Sequence, residues 1–142
     1  WHPVSVWLTT IDGPDHEGAQ ALVGIANSPA RGIADTERFA VANHDTWRRL
    51  NQLYAQLYGL LVIHVQRVGV EDSYIFTGGS EVVAPGGESL AAAPLFDEAL
   101  LEVELDPPAL LRWQRSAQPS DVPYQADLVQ RELRRIIAEA DR

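Results

Sequence analysis

The 142-residue sequence predicts an α+β domain on three observations. Two short continuous apolar runs rich in β-branched residues, near 21–26 and 60–68, read as strands. Between them, Trp47, Leu50, Leu53, Tyr54, Leu57 and Tyr58 recur at three- and four-residue steps, the spacing of an amphipathic helix. Residues 74–93 read as antiparallel β structure around a glycine turn. With 46% apolar residues, the chain suffices for one compact domain burying roughly two-thirds of its unfolded surface.

Each element follows in order. Residues 1–10 suit a short helix or an irregular entry, before a turn at Asp12, Gly13, Pro14 and Asp15. Residues 21–26 predict a strand buried on both faces, ending in the loop Asn27, Ser28, Pro29, Ala30, Arg31, Gly32. Asp45 or Thr46 can cap the following helix, and Gly59 can end it. A second buried strand covers 60–68 and stops at Gly69. Segments 80–84 and 88–92 pair across Pro85, Gly86 and Gly87. Alternation of Leu101, Val103 and Leu105 with Glu102 and Glu104 predicts an edge strand over 100–105. Asp106 and Pro107 resemble an N-cap and first-turn proline for a helix to about Arg115. A polar linker over 116–123 precedes a terminal helix over 124–140. The organisation is therefore a domain over 1–115 and a linker with a helical tail over 116–142.

Composition excludes several chemistries. There is no cysteine, which rules out a thiolate, a disulfide and a cysteine-ligated zinc within these residues. All eleven basic residues are arginine, so no side-chain amine serves as base, Schiff-base former or phosphate ligand. A net charge of −9 repels phosphate backbones and anionic membrane surfaces. The sequence carries neither a run of the roughly 20 apolar residues that a spanning helix requires nor a signal-peptide pattern. The expectation is a soluble, cytoplasmic protein without nucleic-acid or membrane partners. A chain that opens on Trp1 and lacks methionine reads as a processed product or fragment.

Candidate sites are few. His2, His16, His44 and His64 show no i, i+4 pair, so no metal is expected. His64, within an apolar strand, reads as a hydrogen-bonded core histidine. The 27–32 loop gathers an amide, a hydroxyl, a rigid proline and a guanidinium at a strand end, groups that can orient a polar substrate or simply close a loop. Arg31 can pair with a substrate carboxylate or stand as a structural arginine. Glu71 and Asp72 form either a solvated turn or a pair of acid/base or orienting groups. The Gly78-Gly79 and Gly86-Gly87 pairs fit turns rather than a dinucleotide fingerprint.

Three stretches in this order and spacing, ALVGIANSPARG over 21–32, NQLYAQLYGLLVIHVQRVGVED over 51–72 and FTGGSEVVAPGGESLAAAPLFDEALL over 76–101, resemble the C-terminal half of the nitrilase superfamily of carbon-nitrogen hydrolases. The opening Trp1-His2-Pro3 resembles the segment just downstream of that family's nucleophilic cysteine. The resemblance implies half of an αββα four-layer sandwich, with subunits often paired through helices as homo-oligomers. It implies hydrolysis of an amide or nitrile C–N bond through a Glu, Lys, Cys triad, without cofactor or metal. That triad would precede Trp1, so the chain is expected to be inert alone and to require the N-terminal half of the same enzyme. The resemblance carries a substrate-binding role to Asn27, Ser28 and Pro29, with Trp1 and His2 bordering the pocket, Glu71 and Asp72 at its rim or ordering the loop, and no catalytic residue here; Arg31 joins the substrate-binding set only through the carboxylate pairing given above. Gln66 stands where relatives often carry Asn. The rival reading is a non-catalytic half-sandwich module for binding or assembly, dimerising through the helix over 45–58.

Overall fold

The computed structural model describes residues 3–11, 18–35, 40–117 and 122–140. A short helix α1 (Pro3–Thr9) leads to strand β1 (Ala21–Ala26). After the 27–32 loop come β2 (Ile33–Asp35) and β3 (Ala40–Val41), then the long helix α2 (Ala42–Tyr58). Strand β4 (Leu61–Gln66) is followed by the hairpin β5 (Val68–Glu71) and β6 (Tyr74–Thr77). A second hairpin, β7 (Glu81–Val83) and β8 (Ser89–Ala92), precedes helices α3 (Pro107–Ala117) and α4 (Val122–Ala140).

One mixed four-stranded sheet in the order β1-β4-β7-β8 organises the chain. β1 and β4 run parallel, with Val23 beside Ile63 and Gly24 beside His64. The parallel step requires a crossover, and α2 supplies it. β7 then returns antiparallel to β4, placing Glu81 opposite His64 and Val83 opposite Val62.

Side-chain alternation gives the sheet two unlike faces. Leu22, Val62, His64, Glu81 and Val83 lie on the face that α2 covers. There Tyr54 and Ala55 meet Leu60, Val62 and Val83, with Val6 of α1 closing the core. The opposite face carries Val23, Ile25, Ile63, Val65 and Val82. Val23 is 59% and Ile25 83% exposed. The expectation that β1 is buried on both faces is thus corrected, because α2 covers only one side.

Three other expectations change. Residues 100–105 form no strand, and Leu100 and Leu105 are exposed. Among the described residues the apolar alternation there has no neighbouring strand to pair with, and pairing rather than alternation makes a strand. Next, α2 starts at Ala42, ahead of either expected cap, and has no side-chain N-cap. Its first N–H groups go to the loop instead: Ala42 N–H donates to Gly32 O and Asn43 N–H to Arg31 O. Thr46 Oγ1 donates back to Ala42 O at 2.9 Å. Finally, the strand expected over 60–68 ends at Gln66, and a separate strand, β5, runs through the expected stop at Gly69, which pairs with Phe76.

Gly59 ends α2 in the left-handed conformation, φ 64°, as expected. The hairpin across Pro85 to Gly87 and both C-terminal helices also form as expected. The turn expected at Asp12 to Asp15 and part of the polar linker lie outside the described residues. Among the described residues no helix is long and apolar enough to cross a membrane.

Candidate functional site

The 27–32 loop is held from three directions. On one side Arg67 N–H donates to Ala26 O, continuing the β1-β4 ladder past the strand end. From the hairpin, Ala30 N–H donates to Ile75 O at 2.7 Å, and Pro29 bridges to Phe76. From α2, Asn43 Nδ2 donates to Pro29 O at 2.6 Å and to Ser28 Oγ at 3.2 Å, while Asn43 Oδ1 accepts the Arg31 N–H. Trp47 Nε1 adds a 3.4 Å donation to Ser28 Oγ. One asparagine therefore ties the backbone and hydroxyl of the loop to the first turn of the helix, leaving Ser28 held more tightly than a surface loop residue ordinarily is.

Beneath this loop, in the interface between α2 and the sheet, sits a chain of buried polar side chains. Asn51 Nδ2 reaches both His64 Nδ1 at 2.9 Å and Glu81 Oε1 at 2.8 Å. Asn51 is fully buried, and His64 and Glu81 are each 2% exposed. His64 Nε2 lies 3.3 Å from Gln66 Nε2, and Gln66 Oε1 lies 3.5 Å from Ser28 N. The contacts run continuously from a buried carboxylate to the loop. Trp47 flanks the imidazole at 5.3 Å between ring centroids.

Electrostatics fixes the state of this cluster. Arg48 Nε stands 3.9 Å from Glu81 Oε2, which accepts no hydrogen bond, and Asn51 Oδ1 is likewise without one. Burial, followed by repulsion from His44, lowers the His64 pKa to about 4, so the ring is neutral at pH 7. Burial and Arg48 also depress His44, against weaker opposing pulls from Asp45 and Glu81. His44 lies directly over Gly79: a Cβ there would sit 2.6 Å from His44 Cε1.

The expected site residues separate into groups. Asn27, Ser28, Pro29 and Arg31 come together on the clamped loop, with Asn27 and Arg31 exposed. Glu71 is exposed at the far end of β5 and pairs with Arg67, whose guanidinium lies 4.4 Å over the Phe76 ring. That stacked cation links Glu71 to the hairpin under Pro29. Trp1 and His2 lie outside the described residues. An open cleft of about 130 Å³ lies beside β4, lined by Gln66, Val68, Gly79, Ser80, Asp97 and Glu98 among others. Among the described residues no cluster of three or more His, Asp or Glu side chains could hold a metal ion.

Asn43, Asn51 and Glu81 were not singled out by the sequence reading. Their signal is a polar residue at an inward position: Asn51 falls four after Trp47 and three before Tyr54 on the apolar stripe, and Glu81 opens an otherwise apolar strand.

No family model matches the chain, and no curated protein matches it. Among solved structures, it matches a carbon-nitrogen hydrolase from Helicobacter pylori G27 with a TM-score of 0.63 and 24% identity, over 82% of this chain and 40% of that one. A glutamine-dependent NAD+ synthetase from Acinetobacter baumannii, solved with adenosine diphosphate, matches with a TM-score of 0.48 and 25% identity, over 61% of this chain and 16% of that one. The relationship expected from the three sequence stretches thus holds at the level of the fold: the chain has the fold of part of a carbon-nitrogen hydrolase. It spans 40% of the length of the hydrolase it matches.

Proposed function

We propose that this chain is the C-terminal portion of a nitrilase-superfamily carbon-nitrogen hydrolase, supplying one wall of a pocket in which an amide or nitrile C–N bond is cleaved. The observation that carries the reading is the likeness to the Helicobacter pylori hydrolase over 82% of these residues, in a chain whose sheet leaves one apolar face open. A second sheet laid on Val23, Ile25, Ile63 and Val65 would complete the αββα four-layer sandwich. The N-terminal half of the same enzyme is the proposed partner, contributing that sheet and the reacting groups.

The division of labour follows from composition. A covalent acyl-enzyme needs a nucleophile, and stabilising the developing oxyanion calls for a positioned donor or cation. With neither a thiol nor an ammonium among its side chains, this polypeptide supplies neither the Cys nor the Lys of such a triad. It would contribute Asn27, Ser28 and Pro29 as substrate-facing groups, bordered by Arg31, Glu71, Trp1 and His2. The reaction would proceed without cofactor or metal in the cytoplasm, and the exposed Leu53 and Leu57 of α2 would serve pairing into a homo-oligomer.

An ammonia-release assay on short amides and nitriles tests the reading. The chain alone is expected to be inactive, and mixing it with the polypeptide encoded immediately upstream is expected to give turnover. Hydrolysis by the chain alone contradicts the proposal. So does a stable complex that lacks activity on both substrate classes, an outcome that favours a binding or assembly module.

A further inference from the structure

The buried contacts leave a donor count that does not close. A neutral imidazole carries one N–H and one bare nitrogen. His64 nevertheless faces two amide nitrogens, Asn51 Nδ2 at its Nδ1 and Gln66 Nε2 at its Nε2. Both amides cannot donate to the ring, so one must present its oxygen. Turning Asn51 would set its oxygen against Glu81 Oε1, two acceptors 2.8 Å apart in a fully buried site. Turning Gln66 gives up its 3.5 Å contact with Ser28 N–H, the longest link in the chain, and sets two donors together there, a weaker opposition because the distance is longer and the position only half-buried. Gln66 is therefore the amide that yields: its oxygen accepts the His64 Nε2–H and its N–H2 turns toward Ser28. Two donors, Gln66 N–H2 and Ser28 N–H, then face one another with no acceptor between them. Ser28 is prevented from swinging away by Asn43 and Trp47 on its hydroxyl.

We infer that Ser28 N–H and Gln66 N–H2 form a paired-donor notch for a neutral carbonyl oxygen of the ligand, with Glu81, Asn51 and His64 as positioning residues that hold Gln66 in its donating orientation. The inference rests on the reading of the 27–31 loop as the pocket rim. A neutral acceptor is favoured over a carboxylate because Asp97 and Glu98 line the cleft beside Gln66 and the chain carries a net charge of −9. An oxygen beside the pair receives two hydrogen bonds, the arrangement that fixes a carbonyl in orientation.

Nuclear magnetic resonance on the full ¹⁵N-labelled chain at pH 7 tests this directly. Long-range ¹H–¹⁵N correlations are expected to place the His64 proton on Nε2. Acetamide titrated to molar concentration is expected to shift the Ser28 amide and the Gln66 side-chain amide together, and acetate to do so more weakly. Gln66→Glu still accepts from His64 but offers no donor. It is expected to weaken the acetamide response about tenfold or more while the His64 tautomer and the Trp47 indole signal stay in place. A proton on Nδ1, meaning that the hydrogen bonds run the other way, overturns the inference. So do an acetamide titration that moves neither amide and an undiminished response in the variant. None of these readouts needs turnover. A working notch in a protein that fails to hydrolyse on complementation overturns the hydrolase reading alone, and hydrolysis without the notch overturns only this inference.

Discussion

His64 couples the polar cluster to pH. Its folded-state pKa, lowered to about 4 by burial and then by His44, lies below the ordinary value of 6.5. Between these values the unfolded chain binds more protons than the folded one, so stability falls as pH drops through that window and levels off below about 4. The full effect is at most about 3 kcal/mol. Urea titrations at pH 7 and pH 4.5 should show this loss, and His64→Gln should flatten most of it; an equally steep dependence in the variant assigns the effect elsewhere. Asn51→Leu leaves both His64 and Glu81 without their shared donor, and a loss of about 2–4 kcal/mol is expected in the same measurement. A loss below about 0.5 kcal/mol would mean that the Asn51 contacts contribute nothing net. His64 as a core histidine was legible from its apolar strand. Its partners were not: Asn51 lies thirteen and Glu81 seventeen positions away, and only the register of β7 on β4 and the docking of α2 bring the three together.

At the scale of elements, close approach rather than propensity decides several positions. Gly79 has φ 75°, and an added Cβ would meet His44 at 2.6 Å and Leu95 at 2.8 Å. Gly79→Ala is expected to cost about 2 kcal/mol or more in thermal unfolding, from left-handed strain plus overlap. Gly69→Ala, in the β5-β6 hairpin with φ 123° and open space where a Cβ would stand, should cost only about 1 kcal/mol, from backbone strain alone. Equal effects at the two sites would contradict the role given to the His44 contact. The helix α2 and the β7-β8 hairpin were legible because periodicity and turn residues are local. The β5-β6 hairpin was hidden, since Gly69 reads as a stop and only its pairing with Phe76 shows a separate strand there. The 100–105 segment shows the converse, a strand pattern without a partner.

At the scale of the molecule, the two sheet faces make the chain asymmetric. A contiguous apolar surface of this kind ordinarily marks an interface. Ile25 is 83% exposed, so Ile25→Glu should change the stability of the isolated chain by less than about 0.5 kcal/mol. The same substitution should reduce association with the upstream half sharply in sedimentation experiments, because it would bury a charge against a second sheet. Unaltered association would remove this face from the proposed interface. The fold relationship was legible in three dispersed stretches, and half of a sandwich implies an uncovered sheet face; which strands present it was not legible, because an apolar run reads the same whether one side is covered or two.

The central claim is that these residues furnish the pocket wall while the reacting groups reside on the partner half. Its most direct test is peptide mapping by mass spectrometry of the two halves, mixed and acid-quenched during turnover of a short amide. The acyl adduct is expected on a cysteine of the upstream polypeptide, with this chain unmodified. An adduct on any residue of this chain, or turnover with no adduct on the partner, would contradict the account.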